Sequence, residues 1–196
     1  CGICENCRGG FIVPVSADQS TVAAATRYLG GRHGEIAPRK VWGSRARIRP
    51  ELQMRPGWVL CADYYSAAGQ KVKEGKYTIG SFSGELIDAS SRYLKDKVAR
   101  EGIDCVVPMG IPCVEAVQKT CDAAEQKMLL NSAQQEDNIR NSTAVTDSWS
   151  VRGKSILLVD DMVDSRWTFT VVAAELLETG ASSVYPFALV KTGSGD

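Results

Sequence analysis

The run Ser155-Ile-Leu-Leu-Val-Asp-Asp-Met-Val-Asp-Ser-Arg-Trp-Thr168 constrains this chain more than any other stretch. Four apolar residues, Ile156 to Val159, are short enough for a buried parallel strand, and β-branched Ile and Val suit that place. The strand is expected to end where Asp160 and Asp161 begin. From Trp167 to Glu178 the pattern turns helical, with Val171, Val172, Leu176 and Leu177 apolar, Thr168, Glu175 and Glu178 polar, and Gly180 just past the end. Strand, acidic pair, short polar loop and helix follow in that order.

Each part has a chemical use. Backbone N–H groups of residues 164 to 168 would point into the concavity at a helix N-terminus, where the helix dipole favours an anion such as a 5-phosphate. The hydroxyls of Ser165 and Thr168 add donors. Asp160 and Asp161 can each accept from a sugar hydroxyl, a charged hydrogen bond contributing roughly 1.5–3 kcal/mol. Together they would hold a ribose 5-phosphate by both ends.

Residues Leu157-Leu-Val-Asp-Asp-Met-Val-Asp-Ser-Arg-Trp-Thr168 resemble the signature of type I phosphoribosyltransferases: apolar residues, two acids, three variable residues, Thr or Ser, Gly, any residue, Thr. The resemblance implies a parallel α/β sheet flanked by helices. It also implies a ribose and phosphate site at Asp160, Asp161, Asp164, Ser165, Arg166, Trp167 and Thr168. The chain departs from the signature at Arg166, which stands in the place of Gly. A side chain there costs on the order of 1–2 kcal/mol if the left-handed backbone is kept. Arg166 either offsets this through a phosphate contact or blocks the site, so binding is a firmer expectation than turnover.

Upstream, Asp104-Cys-Val-Val-Pro-Met-Gly-Ile-Pro112 reads as a second buried strand opening into a turn. A helix is expected to follow, with Pro112 at its first position and Val114, Val117, Cys121 and Ala124 on one apolar face. The family resemblance places a pyrophosphate loop at Met109, Gly110, Ile111 and Pro112. That turn contains no Lys or Arg, so main-chain donors would hold the pyrophosphate. The polar stretch from Asn131 to Ser142 stands where the family has a flexible hood, and reads equally as a solvated helix or loop. Asp164 stands where purine-type members carry an acid that handles a proton on the base, which makes it the candidate catalytic residue. A plain helix-terminal role is its alternative.

At the N-terminus Cys1, Cys4 and Cys7 fall at two successive three-residue spacings, suited to aiming thiolates at one tetrahedral zinc ion. A fourth ligand is missing. His33, the only histidine, is separated from them by a helical segment from Ser20 to Leu29 and reads as an exposed surface or turn residue. The pattern Cys-Gly-x-Cys-x-Asn-Cys is similar to the end of the zinc-binding domain of RecQ-family DNA helicases. There an earlier Cys supplies the fourth thiolate, so a fragment of a longer protein is expected. Some bacterial members carry a phosphoribosyltransferase-like domain after that module. Stretches resembling Pro38-Arg-Lys-Val-Trp42, Glu74-Gly-Lys-Tyr77 and Asn131-Ser-Ala-Gln-Gln135 occur in them, and Ser-Arg-Trp-Thr replaces Thr-Gly-x-Thr. DNA would be met through the parent helicase. No Gly-x-x-x-x-Gly-Lys-Ser/Thr loop occurs in these residues, so this piece alone should not hydrolyse ATP. Late-competence DNA-uptake proteins are the rival resemblance, but their ribbons use two separated Cys pairs.

Composition agrees with one main domain and an appendage: 196 residues, 44% apolar. No stretch of about 18 apolar residues and no signal peptide is visible, so a cytoplasmic protein without a membrane partner is expected. Seven cysteines fit a reducing compartment with a metal site, and Cys61, Cys105, Cys113 and Cys121 read as small core residues. Charge is divided unevenly. Residues 1–56 hold nine Lys or Arg against four Asp or Glu (+5), and the rest hold fourteen against nineteen (−5). Arg39, Lys40, Arg45, Arg47, Arg49 and Arg55 surround Trp42, as in surfaces that track a nucleic-acid backbone and stack a base. Docking of these cations onto the acidic half of the same chain, or a solvated loop, is the blander alternative.

The expected organisation is a zinc-module end at 1–10, a linker or lid unit at 11–80 and a phosphoribosyltransferase-like domain at 81–196. Within the lid, Glu35 to Trp42 and Trp58 to Tyr65 read as strands, and 69–80 as Gly- and charge-rich turns. Ser83 should cap a helix burying Leu86, Ile87, Tyr93, Leu94 and Val98 and stopping at Gly102. Strands at 104–109, 127–130, 155–160 and 184–190 would build the parallel sheet. Three functions follow. One is a helicase accessory domain with a pocket for phosphoribosyl pyrophosphate or a nucleotide. Another is an active phosphoribosyltransferase, with magnesium accompanying its pyrophosphate substrate. The third is a DNA-binding module.

Overall fold

A computed structural model describes residues 32–43, 46–109, 117–119, 143–145 and 151–193. Within them, five strands form one sheet in the order β1-β4-β9-β8-β5, where β1 is Gly34–Ile36, β4 Gly57–Cys61, β5 Cys105–Pro108, β8 Ser155–Val163 and β9 Ser183–Lys191. β4, β9, β8 and β5 run parallel, and β1 closes the edge antiparallel to β4. Two short antiparallel pairs stand apart: β2 (Val41–Trp42) with β3 (Ala46–Arg47), and β6 (Val117–Lys119) with β7 (Thr143–Val145). The helices are α1 (Ala67–Glu74), α2 (Gly84–Glu101) and α3 (Trp167–Glu178).

The sheet is covered on both faces, which explains why its central strands are continuous apolar runs. Alternation along β8 turns Ile156 and Leu158 toward α3, where Val172, Ala173 and Leu176 complete one cluster. The same alternation turns Leu157 and Val159 toward α1 and α2, where Val72, Leu86 and Leu94 complete the other. β9 divides likewise, Val184 and Ala188 to the first cluster and Phe187 and Leu189 to the second. Cys61 and Cys105 are buried core residues, as their apolar contexts imply.

The helix from Ser83 is as expected: the Ser83 hydroxyl accepts from the Leu86 N–H at 3.4 Å, and Gly102 ends it in the left-handed region. Its buried stripe is Leu86, Ala89, Ser90 and Leu94, with Tyr93 and Val98 partly buried. Ile87 is 37% exposed instead, because it lies a further 100° around the helix from Leu86.

Several expectations are corrected. β8 does not end at Asp160 but continues to Val163, because β9 extends alongside it and pairs Asp160 with Ala188, Met162 with Val190 and Val163 with Lys191. The strand expected from Glu35 to Trp42 is divided by Pro38 into β1 and β2, which join different sheets. The strand expected from Trp58 to Tyr65 is β4 and stops at Cys61. Residues 69–80 are not turns. Ser66 caps α1, its hydroxyl accepting from the Gly69 N–H at 3.2 Å, and a widened π-helical turn over Gly75–Ile79 follows. Val117 falls in a strand rather than on a helix face, since 117–119 pair with 143–145. The sheet also takes β1 and β4 from the segment before residue 80, so it crosses the boundary expected between lid and domain.

Candidate functional site

The acidic pair lies inside β8, past the apolar run Ile156 to Val159 that divides between the two faces of the sheet. The Asp160 Oδ1 accepts from the Asp161 N–H at 2.8 Å. The Asp161 Oδ1 accepts from the ammonium of Lys76, just past the end of α1, at 2.7 Å. Burial works to lower the Lys76 pKa. The hydrogen bond and charge of Asp161, with the charge of Asp160, outweigh it and raise the value above that of an ordinary lysine.

Past the strand, residues 164–166 turn sharply into α3. Arg166 sits at φ 69°, ψ 3°, the one non-glycine residue with positive φ among those described. This is the position where the family signature has Gly, and the backbone keeps the conformation that Gly would adopt without strain. Arg166 also closes the first turn of α3: its carbonyl accepts from the Thr170 N–H at 2.9 Å and from the Thr170 hydroxyl at 2.8 Å. No side chain caps the helix there, and the amides of its first three residues have no intrahelical acceptor. The loop therefore presents N–H groups beside the acidic pair, the arrangement an anion needs.

A brace from the segment between β1 and β2 holds the loop. The Arg39 guanidinium lies 4.1 Å from the centroid of the Trp167 ring and donates to the Ser165 carbonyl. Arg166 in turn donates to the Ala37 carbonyl at 3.4 Å. Trp167 is 1% exposed and stacks at 6.2 Å against Trp42. Arg39 is held below the usual arginine range, first by burial and then by the charge of Arg166. Two buried donors, Arg166 Nε and Trp167 Nε1, lack an acceptor among the described residues.

Of the candidate ribose and phosphate residues, Asp164 is exposed while Asp160, Asp161, Ser165, Arg166 and Thr168 are half-buried around the loop. Trp167 is a core residue, so it offers the site its backbone only. Met109 is also core, at 5% exposure, and its N–H donates to the Val159 carbonyl at 2.7 Å. Gly110, Ile111 and Pro112 lie outside the described residues, as do Cys113, Cys121, the 127–130 strand, the 131–142 hood, the Ser20–Leu29 helix, Arg45 and the zinc candidates Cys1, Cys4 and Cys7. Among the described residues no group of three or more His, Cys, Asp or Glu side chains is placed to hold a metal ion.

Only part of the basic segment is turned inward, and Arg49 and Arg55 are exposed. Arg39 and Trp42 belong to the brace, and Arg49 lies 3.5 Å from Glu51 and 3.7 Å from Glu178. Lys40 and Arg47 are exposed. His33 is not a surface residue: it is half-buried, with Nδ1 2.7 Å from the Leu60 carbonyl and its ring stacked on Tyr93 at 3.9 Å. Burial, more than the nearby charge of Lys97, lowers its pKa against the raising effect of the Leu60 contact.

No family model, curated protein or solved structure matches the chain. No helix among the described residues is long and apolar enough to cross a membrane.

Sequence reasoning overlooked Lys76. The stretch Glu74-Gly-Lys-Tyr77 is distinctive in the sequence, but nothing local in it announces a partner 85 residues away.

Proposed function

We propose that this chain is an accessory domain of a RecQ-type DNA helicase, with a site that binds a phosphoribosyl or nucleotide ligand between Asp160, Asp161 and the N-terminus of α3. The observation that carries the pocket is the left-handed Arg166 backbone at φ 69°. A strained non-glycine conformation costs on the order of 1–2 kcal/mol and persists only where the surroundings enforce it, commonly at ligand-binding loops. Here Arg39, Trp167 and Ala37 enforce it. The loop thus keeps an anion-ready backbone although Gly is absent. The helicase assignment draws on the Cys1, Cys4 and Cys7 spacing and on Ser165-Arg-Trp-Thr168.

The nucleic-acid alternative centred on Trp42 is less favoured, because Trp42 is stacked on Trp167 and packed against the core, which reduces the ring surface open to a base. Thermal stabilisation by phosphoribosyl pyrophosphate, ribose 5-phosphate or a nucleoside monophosphate is the expected result. Asp160→Asn with Asp161→Asn should abolish it. A wild-type chain whose melting temperature no such ligand shifts would rule the pocket out.

A further inference from the structure

Two adjacent carboxylates are a poor neighbour for a phosphate. Like charges held near one another repel, and partial exclusion of water strengthens the repulsion. A site that binds a phosphorylated sugar beside Asp160 and Asp161 therefore needs a counter-cation. Lys76 is delivered to that position by a segment shaped around it.

The chain leaves β4, enters α1 and passes into the π-helical turn Gly75–Ile79, a widening often found at functional sites. Gly75 permits the tight return: a Cβ there would fall 2.7 Å from Phe82 Cδ1 and 2.9 Å from the Ser81 carbonyl oxygen. Gly80, at φ 77°, closes the turn, its N–H donating to the Gly75 carbonyl at 2.8 Å. Lys76 is thereby carried from the far side of β9 to Asp161, where its side chain is 36% exposed and that of Asp161 19%. The two guanidinium groups of the opposite face, Arg39 and Arg166, are engaged with backbone carbonyls, whereas Lys76 is engaged with the acidic pair itself. An ammonium has three donors. One meets Asp161, leaving the group able to remain on the carboxylate and still meet an anionic ligand.

We propose that Lys76 is the resident counter-cation of the Asp160–Asp161 pair and a ligand-selecting residue of the same site, suiting it to a phosphorylated ribose bound without a divalent metal. The ligand class rests on the functional reading above. The counter-cation role does not.

The test uses the full chain as wild type, Lys76→Met and Lys76→Arg, with two measurements. Calorimetric titration with ribose 5-phosphate is run in EDTA and in magnesium. Wild type should bind equally in both. Lys76→Met should bind about tenfold or more weakly in EDTA and recover in magnesium, and Lys76→Arg should stay close to wild type. Manganese binding without ligand, read by paramagnetic resonance, should be about tenfold tighter in Lys76→Met than in wild type, because the ammonium no longer occupies the pair. Equal manganese affinity in the two chains overturns the counter-cation role. Wild-type sugar binding that depends on magnesium, or Lys76→Met binding that matches wild type, overturns the selecting role. Absence of ribose 5-phosphate binding by wild type in both buffers overturns the phosphoribosyl reading instead, and the manganese comparison still decides the role of Lys76.

Discussion

Two cations reach the carboxyl edge of β8 from opposite faces of the sheet. On the α3 face, Arg39 lies against the buried Trp167 ring and donates to the Ser165 carbonyl. On the α1 face, Lys76 meets a carboxylate at 2.7 Å with about a third of its side chain in solvent. Arginine's planar, weakly hydrated group suits stacking and backbone bonding, while lysine's compact charge suits a site whose partner is exchanged. The α3 face thus fixes the shape of the loop, and the α1 face sets its charge. Substitutions on the first should change stability, and those on the second ligand binding.

The largest expected effect is that of Trp167→Ala, which removes a ring that is 1% exposed and in contact with both Arg39 and Trp42. A loss of about 3–5 kcal/mol in urea unfolding is expected. A loss below about 0.5 kcal/mol, the range of surface substitutions, would mean that the brace does not hold the loop. Arg39→Ala should follow at about 1–3 kcal/mol, from one cation–π contact and one charged hydrogen bond. Arg39→Lys should recover little of it, since Lys keeps the charge but not the planar stack.

Arg166→Gly has the opposite expected sign. It removes a left-handed side-chain penalty and a buried Nε without an acceptor, at the cost of the long Ala37 contact. A gain of about 1 kcal/mol is expected, visible as a raised unfolding midpoint. A substantial loss instead would show that the Arg166 side chain, and not only its backbone, builds the loop. Combined with Arg39→Ala, the two changes should be non-additive, because Arg166 is one of the causes that depress the Arg39 pKa.

Much of this division was visible in the residues. The strands at 104–109, 155–160 and 184–190 and the Ser83–Gly102 helix announce themselves, because an apolar run or a capped stripe is a local signal. The position of Arg166 in the loop was legible too, since a left-handed requirement attaches to one place in a motif. What stayed hidden depends on contacts between distant segments. Gly69, Gly75 and Gly80 look like turn residues, yet Gly69 lies inside α1, where a Cβ would fall 1.9 Å from the Tyr64 carbonyl oxygen. There glycine marks close packing, and sequence composition cannot tell the two uses apart. The basic cluster was ambiguous for a related reason. Whether Arg39 and Trp42 face DNA or the core depends on Trp167, 128 and 125 residues further on.

The smallest expected effect on stability belongs to Lys76→Met. A partly exposed ion pair contributes about 0.2–1 kcal/mol after solvent screening, and methionine keeps the aliphatic packing. Its pH dependence separates charge from packing. The Lys76 pKa is raised in the folded chain, so its contribution should be fully present below the ordinary lysine value of 10.5 and lost as pH rises through the raised value. The stability difference between wild type and Lys76→Met should accordingly be flat from neutral pH to near that value and then vanish, and it should shrink in high salt at neutral pH. A difference that persists once the ammonium is deprotonated would assign Lys76 to packing. The α1 face would then be a second brace, and the contrast between the two faces of β8 would fail.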